Sequence, residues 1–376
     1  MTTIEQVSAA LVAVPLPEAT SFSSRTVLER HYALVKVTGD DGVTGIGFCY
    51  PGHKSGHLAV EAVTDLLAPV LIGRDAHHVQ GLWDAMYQES LLHGRYGSVM
   101  RGLSALDIAL WDRNARAAGV SLHRYLGART DRVQAYASGG YYLDGKGPDK
   151  LADEVTAYVA RGFHAVKIKV GRLGLAEETQ RIRAVREAIG PDVLLMLDAN
   201  NAFRDLPTAI RAARAWEELD PYFLEEPFGP DDLTRHAQLA QATSIPIATG
   251  EIEYGHWRVK ELLDQHSAVF LQHDAAVVGG ITALRKVAAL ADAYGATMAP
   301  HWLHELHAHV VATLPHGSWV EYFPSNNVLN FRDIITAQPH LQDGYLTLSD
   351  APGLGFDFDE ATVEKYLVRP WTTVSR

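Results

Sequence analysis

The 376-residue chain holds a single cysteine, Cys49. No internal disulfide can staple it, which fits a reducing compartment. It has no apolar run of the roughly 18 residues that a bilayer span requires. The opening Met1-Thr-Thr-Ile-Glu5 is acidic rather than a basic leader. Long basic runs are missing too: Lys and Arg total 33 against 45 Asp and Glu, a formal charge of −12. Such a surface repels phosphate backbones, which excludes a nucleic-acid partner. There is no low-complexity linker and no sequence-identical repeat. Disorder is excluded by 47% hydrophobic residues, enough to fill a sizeable core. What is plentiful is histidine, with 18 residues in an acidic chain. The expectation is a soluble cytoplasmic protein of about two domains.

Residues 1–130 read as an α+β segment. Tyr32 to Thr38 and Val43 to Tyr50 alternate as strands around the turn Thr38-Gly-Asp-Asp-Gly42, a predicted hairpin. Leu58 to Leu67, closed by Pro69, and Met100 to Ala118, with Gly119 as its stop, carry helical spacing. A cap loop is expected around residues 17–26. From 131 the pattern changes. Short apolar runs at 133–138, 165–170, 193–197, 222–224, 246–249, 269–272, 297–300 and 319–320 alternate with amphipathic helices such as 148–161, 177–189, 206–219 and 283–294. Eight β/α units predict an α/β protein with a closed parallel barrel over 131–329. The tail, 330–376, is expected to pack back on the first segment.

Ionisable residues stand where these strands end. Lys169, Asp198, Glu225, Glu251, Asp274, His301 and Glu321 follow one another at intervals of 29, 27, 26, 23, 27 and 20 residues, one strand–helix unit each. A single polar residue after a strand is a turn former or a helix cap. Seven in register converge on the rim where barrel active sites lie. Asp198, Glu225 and Glu251 form a hard-oxygen cluster that needs a cation, Mg2+ by preference with Mn2+ as the alternative. Pleat alternation lets only one of Glu225 and Glu226 face inward, the other holding a helix cap or a lysine. Lys167 and Lys169 share one face of their strand. Crowding between them and a cation is expected to lower a lysine pKa toward the range of a base. Asp274 beside His301 would fix the imidazole tautomer for proton transfer.

The ordered set Lys-x-Lys, Asp-x-Asn, Glu-Glu-Pro, Gly-Glu, Asp, His and Trp-x-Glu resembles the mandelate racemase subgroup of the enolase superfamily. So do Ser104-Ala-Leu-Asp-Ile-Ala-Leu-Trp-Asp112 and Val278-Gly-Gly-Ile-Thr282. The resemblance spans almost the whole chain. It implies a modified (β/α)7β TIM-like barrel with an α+β capping domain built from the N-terminal segment and the C-terminal tail. It further implies Mg2+ on Asp198, Glu225 and Glu251, with Lys169 as one base. His301 with Asp274 would be the base or acid on the opposite face, Lys167 and Glu321 would stabilise an enolate, and Asn200 would contact substrate. A symmetric homo-oligomer is implied as well.

The expected activity is dehydration of a small anionic acid sugar, for which Tyr50, His53, Lys54, Arg95 and Tyr141 are polar pocket candidates and Phe22 lies in the cap loop. A 2-hydroxy-acid racemase is the alternative, then a zinc hydrolase on an ordinary barrel, and last a catalytically silent barrel. Three motifs are set aside. Gly140 to Lys146 imitates a phosphate loop but is followed by Gly147 rather than Ser or Thr. His304-Glu305 has Ala308 where a zincin needs its second histidine, so the extra histidines are expected to pack at a helix start or line a polar pocket. Gly45-Ile-Gly47 lacks a third glycine.

Overall fold

The structure, a computed structural model, describes residues 2–22, 25–317 and 319–376, apart from the side chains of Phe22 and Arg25. Strands β1 (Ile4–Phe22), β2 (Arg25–Gly39) and β3 (Thr44–Cys49) form an antiparallel sheet, and the last strand of the chain, Leu367–Ser375, joins its free edge along β1. The loop expected around residues 17–26 is largely strand instead, because β1 runs on to Phe22 and pairs with the start of β2. A register shift between Pro15 and Thr20 lets β1 accommodate Pro15 and Pro17.

Helix Gly97–Ala117 lies across this sheet and buries Leu103, Leu106, Ile108, Ala109 and Leu110. Close approach explains Gly45-Ile-Gly47: a Cβ on either glycine would run into the backbone carbonyl of Ala109 or Ala105. Pro69 does not close the preceding helix, which continues from His57 to Leu71 through a π-helical stretch, Ala62–Leu67. The wider turn shifts the hydrogen-bond register just before the residue that lacks an N–H.

The barrel strands are β4 (Arg132–Gly139), β5 (Ala165–Lys169), β6 (Leu194–Asp198), β7 (Pro221–Glu225), β8 (Ile247–Thr249), β9 (Phe270–Leu271), β10 (Thr297–Met298) and β11 (Val320–Tyr322). Each of β4 to β9 pairs in parallel with the next, and β11 pairs with β4. One bridge, Met298 to Gly317, links the two ends of the round. The tail divides its strands. β12 (His340–Gln342) and β13 (Tyr345–Thr347) form a hairpin on the start of β4, whereas β14 (Leu367–Ser375) is the strand on β1.

Two carboxylates tie the first segment to the rest of the chain, Asp107 to the barrel and Asp112 to the tail. Asp107 accepts from the Thr282 N–H at 2.9 Å and its hydroxyl at 2.6 Å, capping the helix that follows β9. Burial pushes Asp107 up to about 7 against those bonds. Asp112 accepts from the N–H groups of Ile46 in β3 and Leu354 in the tail, at 2.8 and 2.6 Å. The Ser104–Asp112 motif is therefore a docking surface, and it sets the antiparallel sheet over the barrel mouth. Among the described residues, no helix is long and apolar enough to cross a membrane.

Candidate active site

Side chains alternate along each barrel strand, so inward positions stack in layers. The floor is apolar, with Met196, Phe223, Ala248 and Phe270 packed together. Two residues further along their strands, Lys169, Asp198 and Glu225 stand side by side in register. Lys167 Nζ donates to both oxygens of Glu225, at 2.7 and 2.8 Å, and lies 2.8 Å from Glu321 Oε1 and 3.6 Å from Asp198 Oδ2. Lys169 pairs with Asp198. Gln272 Nε2 donates to Glu225 Oε2 at 2.5 Å, and Glu321 Oε2 accepts from the Trp302 N–H at 2.9 Å.

Burial works to lower both lysines, but the carboxylates around them win and hold both pKa values above the ordinary lysine value: Glu225 and Glu321 for Lys167, Asp198 for Lys169. Asp198 answers with a pKa of about 2, its burial outweighed by the two lysines. Glu225, Glu226 and Glu251 go the other way. Burial raises all three, and Asp198 and their neighbouring glutamates raise them further.

Glu226 breaks the pleat rule. Its φ of 40° lies in the left-handed region, just past the end of β7, and this turns its side chain into the cavity wall although Glu225 already faces the barrel interior. Asn200 and Asn201 share that backbone region after β6, as do Trp302 and Leu303 after His301. Such strain concentrates where a site dictates backbone geometry.

A cavity of about 630 Å3 opens above this layer between the barrel rim and the antiparallel sheet. Its wall contains Lys169, Asn200, Glu251, Asp274 and His301, together with Tyr50, His53 and Tyr141. Asp198, Glu225, Lys167 and Glu321 lie beneath, fully buried. Lys54 and Arg95 do not reach it. Both are exposed, and the Arg95 guanidinium lies over the Tyr96 ring at 5.6 Å. The side chain of Phe22 lies outside the described residues.

His301 Nδ1 lies 3.2 Å from Asp274 Oδ2, and its Nε2 lies 3.6 Å from Glu251 Oε1. Burial lowers the imidazole pKa more than Asp274 raises it. Two other histidines of that segment, His307 and His309, are structural. His307 Nδ1 donates to the Trp302 carbonyl at 2.9 Å, and its Nε2 accepts from the Ala275 N–H at 2.9 Å. His309 Nε2 donates to the Leu354 carbonyl at 3.1 Å. Lys146, in the phosphate-loop lookalike, pairs with Glu154 and donates to the Tyr141 carbonyl at 3.1 Å.

Sequence reasoning missed Arg30, Arg101 and Trp302, which also line the cavity. Arg30 carried a faint sign, since it falls in phase with the buried Tyr32 and Leu34 along β2. Among the described residues, no three His, Cys, Asp or Glu side chains converge as metal ligands. The lysine ammonium groups neutralise the carboxylates instead. The donor set nevertheless fits a hard divalent cation. Its members are all oxygens, Glu251 Oε2 is buried with no hydrogen-bond partner, and Glu225 and Glu251 crowd with Asp198 until their own pKa values rise.

Comparison with known proteins shows the family. Residues 5–127 match the mandelate racemase/muconate lactonizing enzyme N-terminal domain, and residues 150–362 the enolase C-terminal domain-like family. The chain belongs to the mandelate racemase/muconate lactonizing enzyme family of the enolase superfamily. Within this family it is similar to the L-talarate/galactarate dehydratase of Salmonella typhimurium, at 34% identity over 99% of this chain and 92% of that protein. It is similar to the arabinonate dehydratase of Saccharolobus solfataricus at 32% identity, covering 87% and 88% of the two chains. The crystal structure of an L-talarate dehydratase from a Polaromonas species, complexed with Mg and L-glucarate, superposes with a TM-score of 0.89 at 32% identity over the full length of both chains. Such family members carry the same barrel under the same antiparallel sheet.

Proposed function

We propose that this chain is a Mg2+-dependent dehydratase of an acid sugar. The observation that carries the reading is that Lys169 and the His301–Asp274 pair enter one cavity beside the cluster of Asp198, Glu225 and Glu251. Asp198, Glu225 and Glu251 would hold Mg2+, whose positive charge would acidify the α-hydrogen of a bound acid.

The chain's own residues divide the remaining work. Lys167, bonded to Glu225 and Glu321, holds a fixed charge beneath the cavity where negative charge grows on the substrate carboxylate. Lys169 on β5 and His301 after β10 stand three strands apart round the barrel, so they approach a bound acid from different sides. One removes the proton at C2, and the other protonates the departing hydroxyl at C3, which leaves as water. The resulting enol becomes a 2-keto-3-deoxy acid. Lys169 acts as a base only once Asp198 is engaged elsewhere, because Asp198 is the charge that keeps its ammonium protonated. Asn200, Tyr141 and His53 supply a polar wall suited to a polyol.

Opposed proton-transfer groups also serve a racemase, and that reading is kept as the alternative. A zinc hydrolase gains no support, since the cluster offers oxygens and its one neighbouring imidazole is held by Asp274. Incubating hexonates, pentonates and aldarates with the protein and Mg2+ tests the proposal. Keto-acid is expected from at least one acid sugar, and none from any member overturns it.

A further inference from the structure

The cavity has a second, cationic pole. Arg30 rises into it from β2 and is 1% exposed. Its Nε donates to the Val328 carbonyl at 3.0 Å and its Nη1 to the Tyr50 hydroxyl at 2.9 Å, while Nη2, also buried, meets no acceptor. The guanidinium lies over the Trp302 ring at 4.5 Å and the Tyr50 ring at 5.1 Å. Arg101, from helix Gly97–Ala117, donates through Nη1 to the Tyr50 carbonyl at 2.6 Å and also lines the cavity. Two guanidinium groups thus clamp Tyr50 from either side.

Neither arginine forms an ion pair among the described residues, whereas the lysines of the same cavity are matched by Asp198, Glu225 and Glu321. A buried cation without a counter-charge is costly, and stacking on two rings offsets only part of that. The uncompensated charge faces the space where a substrate held at the carboxylate cluster would extend. Its free edge presents N–H donors of the planar kind that suit a carboxylate.

We propose that Arg30, assisted by Arg101, binds a second, distal carboxylate, so that the substrate is a sugar diacid rather than a monoacid. This rests on the dehydratase reading for the chemistry at the other end. A diacid places one carboxylate at the carboxylate cluster and the other at Arg30, with its hydroxyls against the polar wall between. A monoacid would leave the buried guanidinium unpaired after binding, the condition under which sites discriminate strongly.

The test compares matched pairs, each aldarate with the aldonate of the same configuration and with the aldonate's terminal phosphate ester, in wild type and in Arg30→Met and Arg30→Lys. Diacids should exceed monoacids in kcat/KM by at least about 100-fold. Arg30→Met should remove that advantage chiefly through KM and be partly rescued by Arg30→Lys. Titration calorimetry with Mg2+ present, using galactarate and galactonate, reads the subsite without turnover. If no acid is dehydrated but galactarate binding depends on Arg30, the dehydratase reading falls and the subsite stands. If monoacids or phosphate esters react as well as diacids, or if Arg30→Met weakens all of them alike, the subsite falls whatever the chemistry. Should Arg30→Met fail to fold, the wild-type pairs and Arg30→Lys decide the matter.

Discussion

Asp274 Oδ2 lies 3.2 Å from His301 Nδ1, and this leaves Nε2 as the imidazole nitrogen directed at the cavity. The carboxylate is itself held in place, since its Oδ1 accepts from the Ala276 N–H at 2.8 Å. Burial alone would raise Asp274, but the His301 bond and the neighbouring His307 ring hold it well below the usual carboxylate range. Asp274→Asn keeps the shape and removes the charge that fixes the tautomer. It should lower kcat about 10²–10⁴-fold with little change in KM. Steady-state kinetics check this, and an unchanged kcat would remove His301 from proton transfer.

Lys169 and His301 carry different steps, so their loss should be distinguishable. Both Lys169→Met and His301→Asn should cost at least about 10²-fold in dehydration. Exchange of the C2 proton with deuterated solvent, followed by proton NMR, should survive in one variant alone, the one that keeps the base. Exchange in both would mean that neither residue is the required base.

Cation binding should be visible without substrate. With Mg2+ at 100 times its Kd, stabilisation is about 2.7 kcal/mol, a Tm rise of about 3 °C for a chain of this length. Glu251→Gln should abolish the rise and leave the metal-free Tm unchanged or higher, because Glu251 is crowded by Glu226 and Asp198. Differential scanning calorimetry with Mg2+ or with EDTA checks both halves.

Glu305 shapes the pH dependence of stability. Both its oxygens are buried, and burial lifts its pKa from the ordinary 4.5 to about 7. Between those values the folded state binds more protons than the unfolded one, so stability falls as pH rises through the window and is not regained above it. The loss amounts to about 3 kcal/mol at most. Glu305→Gln should flatten the decline between pH 5 and pH 8 and raise Tm at pH 8, as thermal melts at the two pH values would show.

The barrel was legible because its strands are short apolar runs between amphipathic helices, and its rim because Lys169 to Glu321 recur at one strand–helix interval. β1 was not, since Pro15 and Pro17 interrupt the alternation that marks a strand. Lysine pKa values depend on which carboxylate a side chain reaches, and nothing along the chain shows that Lys169 meets Asp198. Glu226 escaped because its inward turn needs a left-handed φ rather than a pleat. Lys54 and Arg95 were chosen for polarity, and the structure leaves them at the surface. Arg30 was passed over because the expected strand began at Tyr32, whereas the strand runs from Arg25 to Gly39.

The central claim is that this cavity removes an α-proton and expels a β-hydroxyl. The most direct measurement is turnover of an acid sugar in deuterated water with Mg2+, analysed by proton NMR. The account predicts a 2-keto-3-deoxy acid carrying one deuterium at C3, and no product when EDTA is added. Recovered substrate deuterated at C2 with inverted configuration, and no keto-acid, would contradict it and make the chain a racemase.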